Sequence, residues 1–191
     1  MNQQTLTTLN QPLFTSAASA AAFALNFAGE NLQKAAVNRL AGTPAAPGRG
    51  LGGLDGAAQA GMIRAELEAV GLLGESIIIA DIAPKTKPCF CKAACCSGEV
   101  LNPEWAAAIG VLSNIAKELK ICPAYMNVRH NLLRRFFGVA LEITEIARMC
   151  GVSRETVSIH NSKLVSAFKL LKKKAWADFD HRLLQAGMIE K

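Results

Sequence analysis

The sequence predicts an all-α protein with a carboxyl-terminal helix-turn-helix domain, a long terminal helix and an Ala/Gly-rich, partly helical amino-terminal region. Apolar residues recur at helical spacing through most of the 191 residues, and the stretch 143–169 has the pattern of two helices joined at a glycine. The hydrophobic content of 51% is sufficient for a buried core. Composition divides the chain into three predicted domains, which are 1–75, 76–125 and 126–191.

The amino-terminal region is rich in alanine and nearly neutral. From Thr15 or Ser16 to about Leu40 it predicts one or two helices, which bury little surface because their side chains are small. The stretch 41–56 contains six glycines and two prolines, which predicts a loop or hinge.

A helix is expected to return at 57–73, and a short β-rich run is expected to follow it at 76–82. The apolar residues at helical spacing in the first of these segments are Met62, Ile63, Leu67 and Val70.

Four cysteines lie within eight residues of one another in the next segment. Four thiolates can enclose a tetrahedral zinc ion because zinc prefers sulfur ligands, so zinc is the candidate cofactor. The spacing differs from the usual pair of CxxC motifs. There are two alternatives to a zinc site made of these four cysteines. One is a tight turn of buried thiols, and the other is a cluster completed by Cys122 or His130. The candidate metal ligands are Cys89, Cys91, Cys95 and Cys96.

The clearest helix start in the chain follows the cysteines. Asn102 can cap the helix, Pro103 suits the first helical position, and Glu104 complements the positive helix end. Cys122-Pro123 is expected to end this helix. Its predicted buried stripe comprises Trp105, Ile109, Leu112, Ile115, Ala116 and Leu119.

A further helix is predicted at about 127–137, closed by Gly138. Leu132, Leu133 and the two phenylalanines at its end are expected inside, with three arginines outside. These arginines suit phosphate contacts and a protein partner equally. They are Arg129, Arg134 and Arg135.

The stretch 143–169 predicts a helix, a corner and a second helix. Thr144 is expected to cap the first helix, and Glu145 complements its amino end. Gly151 is expected to end that helix in the left-handed conformation, and Ser153 to cap the second one.

The second helix of this stretch has two different faces. At about 100° per residue, Val157, Leu164, Phe168 and Leu171 return to one side, which is the predicted core side. The opposite arc is polar or basic except for one isoleucine. It comprises Glu155, Ser158, Ile159, Ser162, Lys163, Ser166 and Lys169.

Such an arc suits the major groove of DNA. The groove admits one helix whose first turns reach base edges, while Lys, Arg and backbone amides bind phosphates. The alternative is an ordinary pair of packed helices with a glycine corner. The predicted DNA-binding residues are Ser153, Arg154, Glu155, Ser158, Ser162 and Lys163, with Arg134 and Arg135 adding phosphate contacts.

The net charge of +6 is concentrated in the same part of the chain. Residues 1–80 carry −1, residues 81–125 carry +1, and residues 126–191 carry +6. Localised positive charge is typical of a phosphate-binding surface, although a short basic run is also found on solvated helix faces.

The remaining expectations concern the end of the chain and the protein classes that the sequence excludes. The second helix lacks a stop signal before Gly187, which predicts a long terminal helix. No segment has the pattern of an export signal or a membrane span, so a cytoplasmic protein without a membrane partner is expected. No enzyme is expected, because the three histidines are scattered and the glycine run 48–53 lacks the lysine of a phosphate-binding loop.

Four features follow one another along residues 88–180: the pair Cys95-Cys96, a capped helix, an Arg-rich helix ending in RRFFG, and the stretch GVSRETVSIHNSKLVSAF. The last of these is similar to region four of sigma factors and to many other regulators. The combination resembles the Q-type transcription antitermination proteins of lambdoid phages and, more closely, their bacterial AlpA-like relatives.

The resemblance implies a protein that binds a promoter-proximal DNA element, loads onto RNA polymerase carrying a sigma factor, and allows read-through of downstream terminators. The residues that DNA contact would fall on are Arg154, Glu155, Ser158, Ser162 and Lys163. The likeness does not extend to the amino-terminal region. Its Ala/Gly-rich, nearly neutral composition lacks the basic density for phosphate binding, so our hypothesis is that residues 13–73 engage the polymerase exit region, close to the nascent RNA. The main alternative is a conventional helix-turn-helix promoter activator or repressor.

Overall fold

The computed structural model describes residues 13–27, 53–89, 91, 96–122 and 125–190. Most of these residues are helical, which confirms the predicted all-α class in broad terms. The helices of the described chain are α1 (Ala17–Asn26), α2 (Gly53–Glu68), α3 (Leu72–Ile82), α4 (Pro103–Glu118), α5 (Met126–Phe136), α6 (Ile143–Cys150) and α7 (Arg154–Gln185). Two short antiparallel strands, β1 (Thr86–Pro88) and β2 (Glu99–Leu101), form a hairpin that the sequence did not predict.

The chain divides into two compact units. The first unit comprises Met1–Ala69 together with Ala177–Lys191, and the second unit comprises Val70–Trp176. Helix α7, which is 32 residues and about 48 Å long, contributes to both.

The first unit contains α1, α2 and the last residues of α7. The predicted helix start at Ser16 is confirmed, because its hydroxyl accepts a hydrogen bond from the backbone N–H of Ser19 at 3.2 Å. Helix α1 packs on α2 through alanines that are fully buried, which lets the two backbones approach closely. The residues predicted to continue this helix toward Leu40 lie outside the described part of the chain.

A β-bridge, a hydrogen bond and an ion pair connect the separate segments of the first unit. Phe14 and Ile189 form an isolated parallel β-bridge, and both side chains are buried. Arg64 Nε donates to the carbonyl of Ala24 at 3.2 Å, and Arg182 Nε lies 2.9 Å from a carboxylate oxygen of Glu66. These contacts join α2 to α1 and to the end of α7.

Three predictions about α2 and α3 are wrong. Helix α2 begins at Gly53, inside the predicted connector, and Met62 is 51% exposed rather than part of its buried stripe. The predicted β-rich run 76–82 belongs to α3, in which the consecutive isoleucines Ile77–Ile79 are all buried. A helix that is covered on several sides shows a continuous apolar run instead of a helical period, which is why the pattern resembled a strand.

Helix α4 lies at the centre of the second unit, packed against α3 and α5. Its start is confirmed: the side-chain oxygen of Asn102 accepts from Glu104 N–H at 3.1 Å, and the amide nitrogen donates to the Pro84 carbonyl at 2.7 Å. Trp105 is buried and donates its indole N–H to the carbonyl of Ala80 on α3 at 3.0 Å. The helix ends at Glu118, earlier than predicted, so Leu119 is 50% exposed.

Helix α7 is held in the second unit by its predicted core side. Val157, Leu164 and Phe168 are fully buried, and the ring of Phe168 lies 6.0 Å from that of Phe136 on α5. One turn further along, Asp81 of α3 accepts hydrogen bonds from Lys172 Nζ at 2.5 Å and from Trp176 Nε1 at 3.0 Å.

Arg129 is not on the outside of α5, so that prediction is wrong. Its side chain is only 2% exposed. Nε donates to the Ser113 hydroxyl of α4 at 3.1 Å, and Nη1 donates to the Cys122 carbonyl at 2.9 Å. The guanidinium therefore joins α5 to α4 and to the loop between them, because a buried charge is tolerated only where its donors are paired.

We expect Arg129→Ala to lower the free energy of unfolding by about 2–4 kcal/mol, since it removes a large buried side chain and leaves two acceptors unpaired. Arg134→Ala, on the partly exposed side of the same helix, should cost less than about 1 kcal/mol. Urea denaturation followed by circular dichroism measures both values. Equal losses for the two variants would contradict a structural role for Arg129.

Candidate nucleic-acid interface

Three residues, Gly151 to Ser153, form the corner between α6 and α7. Gly151 has φ 65° and ψ 32°, so the predicted left-handed conformation is confirmed. Val152 N–H donates to the carbonyl of Ala147 at 3.1 Å, which closes the end of α6. The predicted cap at Thr144 is wrong: α6 begins at Ile143, before Thr144, and its capping position, Glu142, makes no side-chain hydrogen bond to the helix.

The start of α7 is fixed by Ser153, as the sequence predicts. Its hydroxyl accepts from the N–H of Thr156 at 3.1 Å and lies 2.8 Å from the Thr156 hydroxyl. Because this bond defines the first helical turn, Arg154 and Glu155 are the first two residues of α7.

The predicted outward arc of α7 is exposed along its whole length. Every one of its members is accessible to solvent, in contrast to the fully buried Val157, Leu164 and Phe168 on the opposite side. The predicted DNA-contacting side chains on this part of the chain are likewise all accessible to solvent. They are Ser153, Arg154, Glu155, Ser158, Ser162 and Lys163.

One flank of this surface is formed by His160, which is partly buried. The ring of Tyr125 lies 6.0 Å away in an edge-on arrangement. Burial lowers the pKa of His160, and the nearby positive charge of Lys163 lowers it further. The lowered pKa disfavours the cationic form of His160. The exposed basic side chains in this part of α7 are Arg154, Lys163 and Lys169.

Arg134 and Arg135 are both partly buried on α5, and each makes a local contact. Arg134 Nη1 donates to the side chain of Asn131 at 3.3 Å, and Arg135 Nε donates to the Leu141 carbonyl at 2.8 Å. The second bond ties α5 to the loop that precedes α6. Their predicted phosphate contacts stay a prediction.

The hairpin β1–β2 brings three of the four predicted metal ligands together. The sulfur atoms of Cys89, Cys91 and Cys96 all lie within 4.8 Å of one another, so this cluster can hold a metal ion. The fourth predicted ligand, Cys95, lies outside the described residues. Cys122, a proposed alternative, is not part of this cluster among the described residues.

The backbone of the hairpin supports the cluster with two hydrogen bonds. Cys89 N–H donates to the Gly98 carbonyl at 2.8 Å, and Gly98 N–H donates to Cys96 Sγ at 3.4 Å. The second bond lowers the pKa of Cys96, but hydrogen bonds with Cys91 and Cys89, together with burial, raise it more, so the pKa lies above its ordinary value. Gly98 has φ 81°, a conformation that favours glycine at this turn.

Two residues that position these sites were missed in the sequence. Asp81 holds α7 by accepting hydrogen bonds from Lys172 and Trp176. These residues follow it by 91 and 95 positions, and no local sequence pattern predicts a contact over such a separation. Gly98 offers a weak signal, because a glycine two residues after a cysteine can direct its N–H at the sulfur.

Comparison of the chain with protein-family models, with curated proteins and with solved structures yields no match. None of the described helices combines the length and apolar composition needed to cross a bilayer.

Proposed function

We propose that this chain is a transcription antitermination factor that binds a promoter-proximal DNA element through α6, the corner and α7. It then loads onto RNA polymerase carrying a sigma factor and allows read-through of downstream terminators. The observation that carries DNA contact is the exposed polar and basic arc at the start of α7, opposite a fully buried core side.

The dimensions and chemistry of the arc support duplex binding. The rise from Arg154 to Lys163 is about 14 Å, comparable with the roughly 12 Å width of the major groove. Short serine side chains at Ser158 and Ser162 let the helix backbone approach base edges closely. Arg154 and Lys163 mark the two ends of this stretch, where a helix in the groove meets the phosphates.

The step from DNA binding to antitermination is supported by the resemblance of residues 88–180 to Q-type antitermination proteins. In the same proposal, residues 13–73 engage the polymerase exit region beside the nascent RNA. Helix α1 is alanine-rich and uncharged, and α2 carries one basic residue, Arg64, against three acidic ones. The two helices therefore suit close fitting to a protein surface better than gripping phosphates.

We expect Arg154→Ala and Lys163→Ala each to weaken binding of the preferred duplex by about 5- to 100-fold at fixed salt, because each removes a phosphate or base contact. The slope of log K against log salt should fall by about one for a lost phosphate contact. Lys117→Ala, an exposed lysine on α4, is the matched control for loss of one charge. Unchanged affinity in both α7 variants would contradict this interface.

A transcription reaction with purified polymerase separates antitermination from regulation of initiation. We expect the protein to raise the fraction of transcripts that pass a terminator only when the template carries the upstream element, with the number of initiated transcripts unchanged. Arg154→Ala should abolish this effect, and Lys117→Ala should retain it. A conventional promoter regulator would change initiation whether or not a terminator follows, and a dimeric one would give a symmetric footprint.

We further propose that the thiol cluster of the hairpin binds zinc. Zinc–sulfur bonds of about 2.3 Å place tetrahedral ligands about 3.8 Å apart. Because the three sulfur atoms lie within 4.8 Å of one another, each pair needs to close by at most about 1 Å. Cys95 is the candidate fourth ligand. Bound zinc would replace the thiol protons and fix the ends of the short strands.

We expect the purified protein to contain about one zinc ion per chain, measured by elemental analysis. Cys91→Ser and Cys96→Ser should each reduce the zinc content to less than about a tenth, since a thiolate ligand is lost. Cys150→Ser, which alters a partly buried thiol on α6, is the matched control. Native protein with free thiols at all four positions and no metal would exclude the site.

A further inference from the structure

Ile159 occupies the centre of the outward arc of α7. It lies nine residues, or two and a half helical turns, before the fully buried Phe168, and therefore projects from the opposite side of the helix. It is 49% exposed. Its neighbours on the arc, Glu155, Ser158 and Ser162, are polar and exposed.

Stability of the isolated chain does not account for an isoleucine at this position. An exposed β-branched residue in a helix lowers helix propensity relative to alanine, because its side chain loses rotamer freedom against the preceding turn. The side chain adds nothing to the core, which lies on the other side of α7. Isolated exposed apolar residues are common on protein surfaces, and Ile159 is distinguished by its position at the centre of the proposed DNA-binding arc.

We propose that Ile159 contacts the C5-methyl group of a thymine in the DNA element, and so selects a thymine at that base pair. This assignment rests on the proposed DNA-binding function. The thymine methyl is the apolar feature that base pairs present in the major groove, where the first turns of a recognition helix lie. Ile159 is in the second turn of α7, between Arg154 and Lys163.

The surroundings favour duplex DNA over a protein as the molecule that covers Ile159. A protein-docking surface has several apolar groups at its centre, whereas the residues around Ile159 on the arc are an acid, serines and Lys163. The exposed positive charges of Arg154 and Lys163 complement phosphates. The next exposed apolar residue of α7, Leu170, lies about 17 Å further along the helix axis.

Replacement of single thymines by uracil tests this contact, because uracil lacks only the methyl group. The probe is a duplex enriched from a random-sequence library by the full-length protein, and each of its thymines is replaced by uracil in turn. We expect one such replacement to weaken binding about fourfold, the equivalent of one buried methylene-sized group. The Ile159→Ala variant should bind the original duplex about as weakly and should not distinguish thymine from uracil there.

Leu170→Ala is the matched control, since it truncates an exposed apolar residue of the same helix and should keep the full preference for thymine. Retained helical circular dichroism shows that each variant is folded. Equal binding of every uracil-substituted duplex by the unaltered protein overturns the contact, as does an Ile159→Ala variant that keeps the thymine preference but loses read-through. Failure to enrich any duplex would instead overturn the DNA-binding function itself.

Discussion

The rotation of α7 about its own axis is the constraint on which the proposed DNA-binding surface depends. Val157, Leu164 and Phe168 fix this rotation by burial, and Asp81 fixes it again near the far end of the second unit through Lys172 and Trp176. A turn of the helix by one residue, about 100°, would direct polar groups into the core and leave rings in water. The arc that contains Ser158, Ile159 and Ser162 therefore faces the solvent, because the apolar side opposite it has to stay in the core.

The parts of the fold that depend on short-range chemistry could be predicted from the sequence. The predictions for Gly151 and Ser153 were correct, because a left-handed helix end and a hydroxyl cap depend on residues within a few positions. The buried face of α7 was correct because helical periodicity is itself local. Arg129 was misplaced for the opposite reason: its partners, Ser113 and the Cys122 carbonyl, lie on another helix and a loop, and helical spacing alone places an arginine in solvent.

The thiol cluster was predicted only in part. Sequence identified the cysteines and the chemistry that they favour. It did not indicate that Cys89 and Cys96 lie next to the paired residues Pro88 and Glu99, at the end of the hairpin where the chain connects the two strands. Strands of three residues are too short to give an alternating pattern, so the hairpin left no signal. The same limitation applies to α3, whose buried isoleucines hide the helical period that an amphipathic helix would show.

The first unit takes its residues from both the early and the late parts of the chain, with Phe14 bridged to Ile189. On the ribosome, α1 and α2 emerge long before the segment 177–190 that completes them. At ordinary rates of translation the delay is roughly 5–20 s. During that interval Phe14 lacks its bridge to Ile189 and Glu66 lacks its ion pair with Arg182, so the first unit stays incomplete until synthesis reaches the end of α7.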